Sequence, residues 1–178
     1  FSFLKNDIVL LNTPEIIQKL NVLYENTTSI KELNLFVKVG NTVWNQVKDL
    51  LTDDETFTRL IYSGDIKNNE LVLTKYKNIS KKNFINKKGE SGPLLIVNRG
   101  YGVGNYKFDY CLVTIDKDYT IENHLITIRS SIEISKEDLL KKYNIIINSF
   151  NNDKTKQFIE LYCSNSALNT NELQNILP

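Results

Sequence analysis

The sequence predicts an α+β fold, with a twisted, mainly antiparallel sheet and helices at both ends of the chain. Short apolar runs alternate with turn-forming residues through the middle of the sequence, as they do in antiparallel strands. Apolar residues recur at helical spacing near both termini. Hydrophobic residues make up 41% of the chain and charged residues 24%, so the chain has enough apolar surface to fold around a core.

The N-terminal part of the chain predicts one helix and one strand. Ser2–Leu11 mixes apolar and polar residues and fits either a short strand or a linker. Thr13-Pro14-Glu15 favours a helix start, because Thr caps the first turn and Pro suits the first helical position. The following apolar residues have helical spacing, so we expect a helix to about Tyr24. A helical turn over Ser29–Leu33 and a strand over Leu35–Val39 come next.

The segment after this strand predicts two further strands separated by polar loops. Val43–Leu51 is expected to form a loop or a helical turn around Trp44, the single tryptophan of the chain. Thr58–Tyr62 and Glu70–Tyr76 have the composition of strands. Lys77–Glu90 is rich in lysine and asparagine, so we expect a solvated loop there.

The most strand-rich part of the sequence predicts a short antiparallel meander. Its three apolar runs are Leu94–Val97, Tyr110–Ile115 and His124–Ile128, and polar segments that contain glycine or aspartate separate them. We expect Ser130–Ile134 to close the sheet.

The C-terminal part predicts helices. Ser135 followed three residues later by Asp138 resembles a capping box, and Leu139–Phe150 is strongly amphipathic. Lys156–Tyr162 fits a second helical turn or a strand, and a last short helix begins near Thr170.

The organisation of the chain is that of one domain with an N-terminal appendage. No internal repeat or interdomain linker is visible in the sequence. The division into residues 1–28, a linker or N-terminal helical segment, and residues 29–178, the main domain, follows from the extent of the family resemblance given below. Cys111 and Cys163 lie in apolar patches and are expected to be buried thiols in a reducing compartment. No apolar stretch approaches a membrane span and no signal peptide is present, so we expect a cytoplasmic location without a membrane partner.

The charge of the chain excludes a grossly basic protein. The net charge is +1, so a nucleic-acid binder of this composition has to concentrate its positive charge on one face. Arginine occurs only at positions 59, 99 and 129, which makes each arginine more informative than a lysine. The acidic residues are scattered and form no metal-binding pattern, so we expect no metal site.

The loop Arg99–Lys107 is the first candidate site, because it holds three of the seven glycines of the chain. A nucleotide-binding turn would have to open a helix, whereas this loop leads into a β-rich run. Two interpretations remain: a hairpin with a flexible tip, or a surface on which Arg99, Tyr101, Tyr106 and Lys107 contact phosphates and base edges.

The segment Lys38–Lys48 is the second candidate, because Trp44 lies there among Asn, Gln and Lys residues. Asn and Gln side chains can pair bidentately with adenine in the major groove. The alternative for Trp44 is a core residue with solvated neighbours, and we slightly favour it for this residue.

His124 is the single histidine of the chain and follows Asn123. One histidine with two distant cysteines does not make a usual zinc site. A nucleophilic pair of Cys111 and His124 is conceivable across strands, but no motif supplies an oxyanion hole. We expect Asn123 and His124 to support the glycine-rich loop or to contact DNA.

Several segments together carry a family resemblance. They are KVGNTVWNQVKDLLTDD, TRLIYSGDIKNN, GPLLIVNRGYGVGNYKFDYCLV, IENHLITIR and TKQFIELYCSNSALNTNELQNILP. In this order they resemble the target recognition domain of adenine-specific DNA methyltransferases, found in restriction–modification systems, fused restriction–methylation enzymes and some large DNA viruses. Such domains are related to the specificity subunits of multisubunit restriction enzymes. The resemblance runs from about Ser29 to Pro178.

The resemblance implies that residues 29–178 recognise double-stranded DNA without catalysing a reaction. A catalytic domain that binds S-adenosylmethionine would lie in the same polypeptide, and this chain itself would need no cofactor. The target adenine would be flipped toward that domain. A different interpretation is a protein-interaction module that docks a methyltransferase or restriction subunit without touching DNA.

The resemblance and the residue chemistry together define an expected DNA-binding set. Base edges are expected to be contacted by some of Asn41, Asn45, Gln46, Arg99, Tyr101 and Asn105. Phosphates are expected to be contacted by Lys38, Lys48, Lys107 and Lys156. The set also includes Trp44, Gly102, Tyr106, Asn123 and His124.

Overall fold

The computed structural model describes residues 1–6, 8–76, 80–100, 106–162 and 167–177. The predicted α+β class is confirmed, since helices and antiparallel-rich sheets are both present. Among the described residues, no helix combines the length and the apolar character that crossing a membrane requires.

The described residues form twelve strands and three α-helices. The strands, in chain order, are β1 (Ser2–Lys5), β2 (Ile8–Leu11), β3 (Leu35–Val39), β4 (Leu51–Thr52), β5 (Thr58–Ile61), β6 (Ile66–Lys67), β7 (Glu70–Leu71), β8 (Phe84–Ile85), β9 (Leu94–Asn98), β10 (Tyr110–Val113), β11 (Tyr119–Ile121) and β12 (Leu125–Ser130). The α-helices are α1 (Pro14–Leu23), α2 (Lys136–Phe150) and α3 (Asp153–Tyr162). Short 3-10 turns lie at Lys31–Leu33, Trp44–Gln46, Lys48–Leu50 and Ser63–Asp65, and a π-helical turn at Glu172–Ile176.

The chain divides into two compact units. The helical unit comprises Phe1–Val37, Gly100–Tyr106 and Ser130–Pro178. The β unit comprises Lys38–Arg99 and Lys107–Arg129. The β unit carries 14 Lys and Arg against 11 Asp and Glu, a net charge of +3, whereas the helical unit carries 8 against 10, a net charge of −2. The net charge of +1 is therefore the sum of a positively charged β unit and a negatively charged helical unit.

The helical unit contains the β1–β2 hairpin and all three α-helices. Helix α1 begins after Thr13 and buries its apolar face through Ile17, Leu20 and Leu23, as its spacing predicts. Helix α2 begins at the predicted cap, where Ser135 Oγ accepts a hydrogen bond from the Asp138 backbone N–H at 3.0 Å. The segment Lys156–Tyr162, for which the sequence allowed a helical turn or a strand, is helical and belongs to α3.

The β unit contains two four-stranded sheets and a small hairpin. One sheet has the order β10-β9-β12-β3, and only the last residues of β3 belong to this unit. The other has the order β11-β5-β8-β4 and includes a parallel pair, β11 with β5. Strands β9 and β11 are buried along most of their length, so they form the apolar centre of the unit.

The structure corrects several of the strand predictions. The meander order is wrong, because β12 pairs with β9 and not with the preceding β10. The predicted strand Glu70–Tyr76 is reduced to β7, and the closing strand over Ser130–Ile134 is absent because β12 ends at Ser130. The lysine-rich segment Lys77–Glu90 is not simply a solvated loop, since it contains β8.

A buried ion pair explains why this lysine-rich segment is ordered around β8. Arg59 is 5% exposed and its Nη2 lies 3.3 Å from Asp65 Oδ1, with Asp65 fully buried. Arg59 Nη1 donates to Asn83 Oδ1 at 3.0 Å, and Asp65 accepts the backbone N–H groups of Tyr62 and Thr74. Through these bonds the pair connects strand β5 to the turn at Asp65, to the segment at Thr74 and to the segment at Asn83.

Candidate functional site

A fixed turn after β11 is the centre of the candidate site. Glu122 is 2% exposed, and its carboxylate accepts the His124 backbone N–H at 3.0 Å. Its second oxygen lies 2.5 Å from His124 Nδ1. The backbone N–H of Leu125 closes the turn on the Glu122 carbonyl. A buried carboxylate that is bonded in this way sets the position of His124, whose imidazole remains partly exposed.

The segment after β3 docks onto this turn. Gly40 N–H donates to the Leu125 carbonyl at 2.8 Å, and Asn123 N–H donates to the Thr42 carbonyl at 3.0 Å. A Cβ atom at position 40 would lie 2.2 Å from the Glu122 carbonyl oxygen, so only glycine fits there. The contact fixes the residues that follow Gly40 against the turn.

Asn41 is held by a network of hydroxyl groups. Its Oδ1 accepts hydrogen bonds from Thr42 Oγ1 at 3.1 Å and from Thr120 Oγ1 at 2.8 Å. The two hydroxyl oxygens are 3.0 Å apart and buried. Because both bonds end on Oδ1, the Nδ2 group of this exposed side chain has no hydrogen-bond partner among the described residues.

Arg99 reaches the same turn from β9. Its backbone N–H donates to the His124 carbonyl at 3.0 Å, which fixes the backbone beneath an exposed side chain. The other two arginines serve the fold: Arg59 forms the buried pair with Asp65, and Arg129 binds Glu90 through two bonds of 2.6 and 2.7 Å. Within the described part of the chain, Arg99 is the arginine whose guanidinium has no ion-pair or hydrogen-bond partner.

These contacts bring together residues that are far apart in sequence. We call the set Asn41, Thr42, Asn123, His124 and Arg99 the Arg99 edge. Two exposed groups in it, the Asn41 amide and the Arg99 guanidinium, are hydrogen-bond donors on a fixed backbone. Such donors can pair with acceptors on base edges or phosphates.

The predicted residues near Trp44 follow the Arg99 edge along the chain. Two successive 3-10 turns expose Asn45, Gln46 and Lys48. Trp44 is half-buried and packs against the cluster of Leu60, Tyr62 and Ile85, as the core interpretation predicts. Lys48 Nζ lies 5.8 Å from the centroid of the Trp44 ring. Lys38 is exposed on β3, and its carbonyl accepts a hydrogen bond from Thr127.

The remaining predicted residues either have contacts of their own or lie outside the described residues. Lys107 Nζ pairs with Asp109 at 3.0 Å, which offsets its charge. Tyr106 and Lys156 belong to the helical unit, where Lys156 pairs with Asp153 at 3.2 Å. Tyr101, Gly102 and Asn105 lie outside the described residues.

The sequence analysis did not identify the buried polar residues that support the Arg99 edge. Thr42, Thr120 and Glu122 are buried polar residues whose importance rests on pairing between distant segments. The available signal was that they are polar residues in or beside apolar strands, where an unpaired polar group is costly.

Cys111 lies in β10 and is 1% exposed. Burial, with a further contribution from Asp65, raises the pKa of the Cys111 thiol to about 12. Because the thiolate is the nucleophilic form, Cys111 is not suited to attack a substrate at neutral pH. The burial of Cys111 therefore argues against the hydrolase hypothesis for Cys111 and His124.

We expect Cys111 to be inert in the native protein. In a Cys163→Ser variant, a thiol reagent at pH 8 should leave Cys111 unmodified until the chain is unfolded with denaturant. Stoichiometric labelling within minutes under native conditions, with the fold intact by circular dichroism, would contradict this assignment.

No protein-family model matches the chain. The chain is 28% identical over 162 residues to the type II methyltransferase M.CvrRI of Paramecium bursaria Chlorella virus XZ-6E. The alignment covers 89% of this chain and 38% of that protein, so the chain spans less than half the length of the relative it matches. This similarity links the chain to the methyltransferases.

Proposed function

We propose that this chain is the DNA target recognition domain of an adenine-specific DNA methyltransferase or restriction–modification enzyme. It binds double-stranded DNA in a sequence-dependent manner and positions the target adenine for a separate catalytic domain. The similarity to a type II methyltransferase supports the class of the parent protein. The specific role in recognition is supported by the Arg99 edge.

The observation that carries the proposal is the state of Arg99. An exposed guanidinium on a backbone fixed by the His124 carbonyl is ready to donate two parallel hydrogen bonds. Guanine O6 and N7 are the acceptors that this fork matches best in the major groove. The Asn41 amide, held through its oxygen, offers a second donor at the same edge.

The other proposed contacts divide by chemistry. Asn45 and Gln46 are exposed amides on the first 3-10 turn and are suited to base edges, whereas Lys38 and Lys48 are suited to phosphates. Lys107 is already paired with Asp109, so we expect it to contribute less than Lys38 and Lys48. The net charge of +3 on the β unit favours association with a polyanion.

We assign S-adenosylmethionine to a separate catalytic domain of the parent protein, because the similarity to a type II methyltransferase implies a domain that binds it. The cofactor carries a sulfonium cation, and one pocket of the β unit is lined by Lys87, Lys88 and Lys117. A groove in the helical unit is lined by apolar, amide and hydroxyl side chains with Lys154 and without a carboxylate.

A second candidate function is a protein-interaction module that docks a methyltransferase or restriction subunit. A groove of about 320 Å³ in the helical unit favours it, because Ile30, Leu33, Ile145 and Ile146 give the groove an apolar wall. Ile145 is 60% exposed. A module that only docks protein predicts no salt-dependent binding to DNA.

Binding to DNA separates the two functions. We expect the 178-residue chain to bind a fluorescent duplex of about 30 bp and random sequence at low salt, and to lose affinity steeply as salt rises. Anisotropy titrations at several salt concentrations measure both properties. A folded chain that does not bind the duplex at about 50 mM salt would contradict the proposed function and favour the docking module.

A further inference from the structure

A cationic pocket lies at the start of the parallel pair β5–β11, at the end of β11 opposite to the Arg99 edge. It has a volume of about 430 Å³. Its charged lining consists of Lys87, Lys88, Lys117 and Asp118, and Thr56 and Thr58 contribute hydroxyl groups. Three ammonium groups against one carboxylate give the pocket a net positive charge.

The backbone beneath Lys87 and Lys88 is held rigidly. Thr58 Oγ1 donates to the Lys87 carbonyl at 2.6 Å. A Cβ atom at Gly89 would lie 2.6 Å from Thr58 Cγ2 and 2.8 Å from the Tyr119 carbonyl oxygen, so the segment packs directly on the two strands. Glu90 then exchanges two backbone hydrogen bonds of 2.8 Å with Tyr119.

The side chain of Glu90 fixes the same segment a second time. Its two carboxylate oxygens accept hydrogen bonds from Arg129, at 2.6 and 2.7 Å. A surface run of two lysines normally has a mobile backbone, whereas this run is anchored on both sides. The backbone that carries Lys87 and Lys88 is therefore fixed at the mouth of the pocket, and both side chains start from a defined position.

The three lysines do not play the same part. Lys117 Nζ contacts the Glu55 carbonyl and lies 4.6 Å from the centroid of the Phe84 ring, so it forms a wall of the pocket. Lys87 and Lys88 are exposed, and their ammonium groups have no ion pair or hydrogen bond among the described residues. These two are the groups with charge to offer to a ligand.

The hydroxyl groups narrow the kind of anion that the pocket can take. Thr58 Oγ1 donates to the Lys87 backbone carbonyl, and Thr56 Oγ1 donates to Asp54 Oδ1 at 2.8 Å, so both hydroxyl protons are already used. The donors left for a ligand are long, flexible ammonium groups, which act as point charges and not as a fixed cradle. This arrangement suits a phosphodiester of a polymer better than a free phosphate, which needs several directed hydrogen bonds.

We propose that the pocket formed by Lys87, Lys88 and Lys117 binds the phosphodiester backbone of duplex DNA as a second contact, apart from the Arg99 edge. The inference rests on the proposed function. Four residue steps along β11, from Asp118 to Glu122, separate the two places, which corresponds to roughly 13 Å. The pocket therefore contacts a different phosphate from those next to the bases at the edge, and it fixes the register of the chain on the duplex.

The test compares two double variants of the whole chain. Lys87→Ala/Lys88→Ala removes the proposed contact, and Lys19→Ala/Lys67→Ala removes two exposed lysines elsewhere. Both variants have the same change in net charge, and circular dichroism checks that both are folded. The probe is the random-sequence duplex, titrated at several salt concentrations.

We expect Lys87→Ala/Lys88→Ala to flatten the slope of log affinity against log salt by about 1 to 2, since each phosphate contact contributes about 0.9. The Lys19→Ala/Lys67→Ala control should keep the slope of the parent chain. Equal slopes for the two variants would overturn the second contact while leaving the proposed function intact. A parent chain without any duplex binding would instead overturn the proposed function, and the second contact with it.

Discussion

Asp65→Ala is expected to lower the free energy of unfolding by about 3–5 kcal/mol, because it leaves the Arg59 guanidinium buried without a counter-charge. Arg59 is 5% exposed, so water cannot compensate the lost ion pair. The substitution also leaves the backbone N–H groups of Tyr62 and Thr74 without their acceptor. Each unsatisfied buried donor adds to the loss.

Asp65→Asn separates the charge from the hydrogen bonds. The amide oxygen can still accept one backbone N–H group, but it does not neutralise Arg59, so most of the loss should remain. Urea unfolding followed by circular dichroism measures both variants. Asp116→Ala, which changes an exposed aspartate, is the control and should stay within about 0.5 kcal/mol of the parent. A loss below about 1 kcal/mol for Asp65→Ala would show that the buried pair does not organise the β unit.

Arg99→Ala is expected to reduce discrimination between the target sequence and other duplexes by about 1–3 kcal/mol, roughly 5- to 150-fold in relative affinity. The reason is the loss of a bidentate donor fork. The Arg99 side chain is exposed and has no ion pair or hydrogen bond among the described residues, so its removal should cost little stability. Affinity for the preferred sequence should therefore fall more than affinity for random DNA, while the unfolding midpoint stays unchanged.

Arg99→Lys tests geometry against charge. Lysine keeps the positive charge but lacks the planar fork, so it should restore binding to random DNA more fully than discrimination. The matched control is Lys67→Ala, which removes an exposed positive charge away from the Arg99 edge. Unchanged discrimination in both Arg99 variants would remove Arg99 from the base contacts.

Local features of the fold were predictable because their causes lie within a few residues. Helix α1 follows from Pro14 at its start and from the apolar spacing after it, although Thr13 makes no side-chain capping hydrogen bond. Helix α2 follows from the cap at Ser135. The order of the strands was not predictable in the same way. Strand β12 lies beside β9 and not beside β10 because pairing depends on distant segments that fit together in the core.

The candidate site shows the same division. The sequence identified Asn41, Asn123, His124 and Arg99 as polar residues in three separate candidate segments. It did not show that backbone hydrogen bonds join these segments at a turn held by the buried Glu122 carboxylate. Nor did it distinguish Arg99 from Arg59, since burial and an aspartate six residues along the chain from Arg59 make the difference.

The lysine-rich segment is the clearest limit of sequence reasoning. Its composition predicts a solvated loop, yet Asn83 is 8% exposed and Ile85 is fully buried. The buried Arg59 draws Asn83 inward, and β8 then pairs with β5. The lysine-rich segment therefore combines exposed side chains, including Lys87 and Lys88, with a fixed backbone. This combination is the basis for the proposed second DNA contact.

The central claim is that this chain selects a DNA sequence, and selection from a pool of random duplexes tests it most directly. The folded chain is incubated with the pool, bound duplexes are recovered and amplified over several rounds, and the products are sequenced. We predict enrichment of one short sequence by the parent chain and weaker enrichment by Arg99→Ala. A folded parent chain that recovers duplexes without enriching any sequence would contradict the claim.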